Sequence, residues 1–168
     1  QWDDQKDIIE LQIAQLEDDS ARLDLRFRLA RLNEQKLGDV EVALSEYAAI
    51  LEESPTHQQT LSSLEAMVRT GHEAGIAVGI LEDCLQAQDE YARLVSVWQD
   101  FLAVSDDLDE RIQVRVKIAQ TQDECLGDAH AAFLAFGDAV REDATHIPAI
   151  DALEALASRL ALWIDYVT

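Results

Sequence analysis

"RLDLRFRLARL", Arg22 to Leu32, admits two backbones. Leu23, Leu25, Phe27 and Leu29 alternate with Asp24, Arg26 and Arg28, which is the period of a half-buried strand. Wound as a helix, the same residues make two stripes. Leu23, Phe27 and Ala30 share one face, and Leu25, Leu29 and Leu32 share the opposite one. A helix apolar on two sides suits a position between two neighbouring helices. No Gly or Pro bounds a short strand here, and no partner strand is apparent. The stretch is therefore expected to be a helix, over about 20–37.

Working outward, the stretch proves to be one of a pair. "RIQVRVKIA" at 111–119 has the same pattern, at an offset of 89 residues. The match runs on without gaps. Arg22, Arg26, Ala30, Leu37, Gly38, Asp39 and Ala43 recur as Arg111, Arg115, Ala119, Leu126, Gly127, Asp128 and Ala132. Thr56, His57, Leu64, Glu65 and Ala66 recur as Thr145, His146, Leu153, Glu154 and Ala155. An ungapped match of this length indicates internal duplication, and long-period repeats usually form stacked arrays. A weaker correspondence among Trp2, Tyr91 and Trp163 implies a unit of about 72 residues, or four helices, with one extra helix in the first copy. The expected organisation is one repeat domain. Its first unit covers about 1–72, the inserted helix about 73–88, the second unit about 89–160, and a third begins at about 161–168.

Composition agrees with helices. Of 168 residues, 48% are apolar, enough to bury a core, whereas 6 Gly and 2 Pro are few for a sandwich or barrel. With 34 acidic and 13 basic residues the net charge is −21, which repels nucleic acid and anionic membranes. Such a charge keeps a surface solvated; its sharper reading is a basic partner. The apolar run "AGIAVGIL", Ala74 to Leu81, is too short to span a bilayer. Cys84 and Cys125 lie far apart, so neither a disulfide framework nor a zinc site is supported, and a reducing compartment, the cytoplasm, fits. The opening "QWDDQKD", without Met, reads as the start of an excised piece of a longer protein.

About ten helices are expected. The third, about 39–53, carries one stripe of Val40, Ala43, Leu44, Tyr47, Ile50 and Leu51, with Asp39 capping its start. Ser54-Pro55 ends it, and Thr56 with Gln59 reads as a capping box for the fourth, about 57–71. The inserted helix holds Gly75 and Gly79 on one face, which implies close approach of a neighbouring helix.

From Gly38 the order Gly-Asp, Ala43, Tyr47 and Pro55, with its counterpart Gly127, Asp128, Ala132, Phe136 and Ala139, resembles the second half of a tetratricopeptide repeat. It also looks like divergent bacterial arrays with a Leu-Gly-Asp corner, and related helical-pair repeats such as HEAT-type arrays are the alternative. Ile50 and Ala144 depart from that pattern, and the likeness covers about 20–70 and 109–160. The resemblance implies an all-α superhelix of antiparallel helical hairpins, with the first helix of each motif lining a concave face. The residues projecting there would be Asp24, Arg31 and Glu34 in one copy, and Gln113, Gln120 and Asp123 in the other.

Catalytic chemistry is harder to assemble. There is no phosphate-binding glycine loop and no serine nucleophile elbow. His57 and His146 sit at equivalent helix starts, and His72 and His130 have no helical His partner one turn on. The acids at 17–19 and 106–110 lack the spacing of a calcium loop and fall where first turns are expected. No metal, cofactor or enzymatic activity is expected. The leading expectation is a scaffold that binds a peptide or protein segment, basic or polar, in its groove. A spacer within a longer array is the second reading, and an enzyme with an unrecognised site is the third.

Overall fold

The computed structural model describes residues 2–160, so the helix expected from 161 lies outside the described residues. Among them are nine α-helices and no strand. They are α1 (Trp2–Gln15), α2 (Asp19–Leu32), α3 (Val40–Glu53), α4 (Gln58–Thr70), α5 (Ala74–Ala87), α6 (Tyr91–Leu102), α7 (Leu108–Glu124), α8 (Ala129–Glu142) and α9 (Ile147–Leu160). A π-helical turn, Asn33–Leu37, prolongs α2 to the Gly-Asp corner. None of these helices is long and apolar enough to cross a membrane.

The chain divides into two compact units. The first holds the residues up to Val68 and His72–Cys84; the second takes Arg69–Gly71 and the described residues from Leu85. In the first unit, α2 packs on both α1 and α3. Leu29 and Leu32 are buried with Ile9 of α1, and Leu25 packs against them. On the opposite face Ala30 is fully buried, and the Phe27 ring lies 5.9 Å from that of Tyr47 on α3. The alternation that imitates a strand is thus the sum of two apolar stripes on one helix. In the second unit α7 is placed likewise, packing on α6 and α8. Its Ala119 joins Ala132, Phe136 and Leu153 in the core there. Trp98 of α6 is almost fully buried.

The Gly-Asp corners are alike. Gly38 and Gly127 have φ of +76° and +69°, where a side chain would be strained. Each corner closes with the same backbone bond, Asp39 N–H to the Asn33 carbonyl at 3.0 Å and Asp128 N–H to the Gln122 carbonyl at 2.7 Å.

Three local expectations need correction. Asp128 caps α8 by accepting from the Ala131 N–H at 2.9 Å, but Asp39 at the equivalent position makes no side-chain cap. Helix α4 begins at Gln58, so its cap falls to His57 rather than Thr56. The Nδ1 of His57 accepts from the Thr60 N–H at 3.3 Å, as that of His146 accepts from the Ala149 N–H at 3.2 Å for α9. Gly75 and Gly79 mark no close helix approach. Both are exposed, and a Cβ at either would meet no atom within 4 Å.

Candidate binding grooves

Each hairpin is locked by the same ionic clasp. In the first unit Arg22 and Arg26 of α2 reach Glu53 at the end of α3, at 3.3 and 2.9 Å. In the second, Arg111 and Arg115 of α7 share one oxygen of Glu142 at the end of α8, at 2.7 and 2.6 Å. Start of one helix meets end of the next, so both pairs run antiparallel. Glu142 is the more enclosed acid, 20% exposed against 37% for Glu53. Hydrogen bonds from Arg115 and Arg111 outweigh its desolvation and hold its carboxyl down at about 2. Asp18 and Asp107, from the two acidic runs, cap α2 and α7 through the N–H groups of Ser20 and Glu110 at 2.9 Å. These acids are helix caps. Among the described residues no group of three His, Cys, Asp or Glu side chains could hold a metal ion.

The clasp closes one end of each hairpin and the Gly-Asp corner the other; beside the hairpins, residues of α2 and α4, and of α7 and α9, border open grooves. An open groove of about 480 Å³ lies between the first pair. Arg31, Glu34 and Gln35 form one wall, and Gln58, Ser62 and Ala66 are among the residues of the other. A second groove, of about 300 Å³, is bordered by Gln120, Asp123 and Glu124 of α7 and by Ala152, Ala155 and Arg159 of α9. The two are counterparts. Arg31, Glu34, Gln35, Ser63 and Ala66 of the first stand at the sequence offset of Gln120, Asp123, Glu124, Ala152 and Ala155 of the second.

Four of the six residues expected to project into a groove therefore border one: Arg31 and Glu34 together, Gln120 and Asp123 together. Asp24 and Gln113 are exposed two turns earlier on the same helix faces. Asp24 borders an adjoining hollow with Arg28 and Gln59, and its carboxylate lies 3.8 Å from Nε2 of His57. The far walls, on α4 and α9, were missed. The sequence holds one signal for them, the recurrence of Ala66 as Ala155, and the structure shows both exposed.

The acids in the two grooves are held differently. Glu34 accepts from the hydroxyl of the fully buried Tyr47 at 2.6 Å. Burial, then the neighbouring Glu34 carboxylate, pushes that phenol far above its usual range. The counterpart of Tyr47 is Phe136, which has no hydroxyl, and Asp123 pairs with Arg159 instead. One repeated hairpin thus presents two chemically distinct grooves. Comparison with known proteins finds no matching family model, no matching curated protein and no matching solved structure.

Proposed function

We propose that the chain is a binding scaffold rather than an enzyme, an α-solenoid of tetratricopeptide type whose grooves hold an extended segment of another protein. One observation carries the reading, namely that a groove recurs at the same sequence offset in both units, bordered by equivalent residues. Duplication that preserves an open trough, while the residues lining it change, is what a repeat scaffold needs in order to vary its ligand. The groove walls also suit a peptide. Gln35, Gln58, Gln59 and Ser62 offer both donors and acceptors, and Phe27 supplies an apolar floor.

The reading is tested by filling the grooves. Ala66 and Ala155 are exposed and line opposite copies, so Ala66→Trp and Ala155→Trp block a groove without entering the core. Peptides selected from a random library on the wild-type chain should lose binding to one or the other variant. Peptides that bind both variants, and their double variant, as they bind the wild type would overturn the reading.

A further inference from the structure

The first groove is bordered by cations that the ion pairs of its own helix leave over. On α2, Arg22 and Arg26 are paired with Asp19, Glu46 and Glu53. Arg28, Arg31 and Lys36, also on α2 and its π-turn, have no carboxylate within ion-pair distance among the described residues. All three are exposed, and all three border one hollow of about 370 Å³ beside the groove, together with Trp2 and Phe27. Hollow and groove share Phe27, Arg31 and Gln35, so they form one continuous trough.

In a chain with 34 acidic and 13 basic residues, three cations left without acids around one trough stand out against the average surface. Aromatic rings hold two of the three without neutralising them. The Lys36 ammonium lies 5.5 Å from the centre of the Trp2 ring, and the Arg31 guanidinium 5.9 Å from that of Phe27. Among the described residues two acids lie nearby: Glu34, which borders the groove, is drawn back onto Tyr47, and Asp24, in the adjoining hollow it shares with Arg28, lies 3.8 Å from Nε2 of His57. Nor does the hairpin require two of these charges. At the counterparts of Arg31 and Lys36 the second copy carries Gln120 and Cys125, and only Lys117, at the counterpart of Arg28, keeps a cation.

Resting on the peptide-groove reading above, we propose that this trough takes an acidic, extended segment of a partner protein. Its Asp or Glu side chains meet Arg28, Arg31 and Lys36, and its backbone meets the amides of Gln35, Gln58 and Gln59. The net charge of −21 points toward a basic partner only at long range. At contact, charges beyond the screening length of about 8–10 Å count little, and the local cations decide. The same net charge disfavours a polynucleotide, which brings a continuous line of phosphates rather than a few spaced carboxylates.

Fluorescence anisotropy on three short labelled peptides tests this. All have both ends capped and share one spacing; one carries Glu and Asp, one Gln and Asn, and one Lys. The acidic peptide should bind best. The triple variant Arg28→Gln, Arg31→Gln, Lys36→Gln, with its helical spectrum intact, should lose about tenfold or more of that affinity. Arg141→Gln, which removes a surface pair with Asp138 on α8, should lose none. The proposal is overturned if the triple variant binds the acidic peptide as tightly as the wild type. It is also overturned, with the groove reading left standing, if the neutral or basic peptide binds better and Ala66→Trp blocks it. If none of the three binds while a library-selected peptide does and Ala66→Trp blocks it, this proposal falls and the groove reading stands; if no library-selected peptide binds either, both fall.

Discussion

Arg115 donates to Glu142 at 2.6 Å, joining the middle of α7 to the last residue of α8. Arg111 donates to the same oxygen at 2.7 Å, so the acid closes a hairpin that two arginines hold. The folded state depresses the Glu142 carboxyl from the ordinary 4.5 to about 2. The sign follows: the contribution is complete above pH 4.5 and is lost as pH falls toward about 2. Glu142→Gln should cost roughly 1–2 kcal/mol near neutral pH, after allowance for partial exposure. Urea unfolding of variant and wild type at neutral pH and near pH 2 checks it, since the gap should close in acid. A gap that stays constant across that range contradicts the ionic clasp.

The equivalent Glu53 is more open to solvent, 37% exposed against 20%. Glu53→Gln should therefore destabilise less than Glu142→Gln, by about 1 kcal/mol or under. Added salt should erase its effect first, because exposed pairs are screened more strongly. Unfolding curves at low and high salt give both quantities.

Imidazole caps are unusual and can be replaced. His57→Ala and His146→Ala should each cost about 1 kcal/mol, the loss expected when a helix N-terminus gives up its acceptor. Asn at either position supplies an acceptor oxygen to the same N–H and should recover most of the loss. Thermal unfolding of the four single variants decides the matter; equal losses for Ala and Asn would assign the effect to packing against Phe27, whose ring lies 5.5 Å from that of His57.

The glycines separate into two kinds. Gly75 and Gly79 lie in α5 with open space where a Cβ would go, so Ala at each should stabilise by up to about 1 kcal/mol. Gly38→Ala should destabilise by about 1 kcal/mol, because φ is +76° there and an L side chain is strained. Denaturant midpoints of the three variants should move in these opposite directions.

Tyr47→Phe copies the second unit's Phe136 into the first. It deprives the half-buried Glu34 of a hydrogen bond made at 2.6 Å and should cost about 1–2 kcal/mol. Because the two groups act as a pair, Tyr47→Phe with Glu34→Gln should cost less than the two single changes added together. A double-mutant cycle by urea unfolding measures that coupling.

Much of the architecture could be read from Arg22 to Asp39 and its counterpart. Two apolar stripes place α2 between neighbours, and paired Gly-Asp corners place the turns, because both follow from local periodicity and backbone sterics. The recurring arginines were legible too, but their meaning was not. Glu53 and Glu142 stand at the same offset, yet only a folded hairpin shows that a helix end meets a helix start. Caps were misread where a boundary moved by one residue, as at His57. The far groove walls depend on which helix faces α2 and α7, and helix periodicity alone leaves that choice open.

The most direct test of the groove account is backbone NMR of the ¹⁵N-labelled chain titrated with a library-selected peptide. Shifts should concentrate at Arg31, Gln35, Ser63 and Ala66, or at their second-unit counterparts Gln120, Glu124, Ala152 and Ala155. Shifts centred instead on exposed residues of α3 such as Glu41 and Val42, with both grooves silent, would contradict the account.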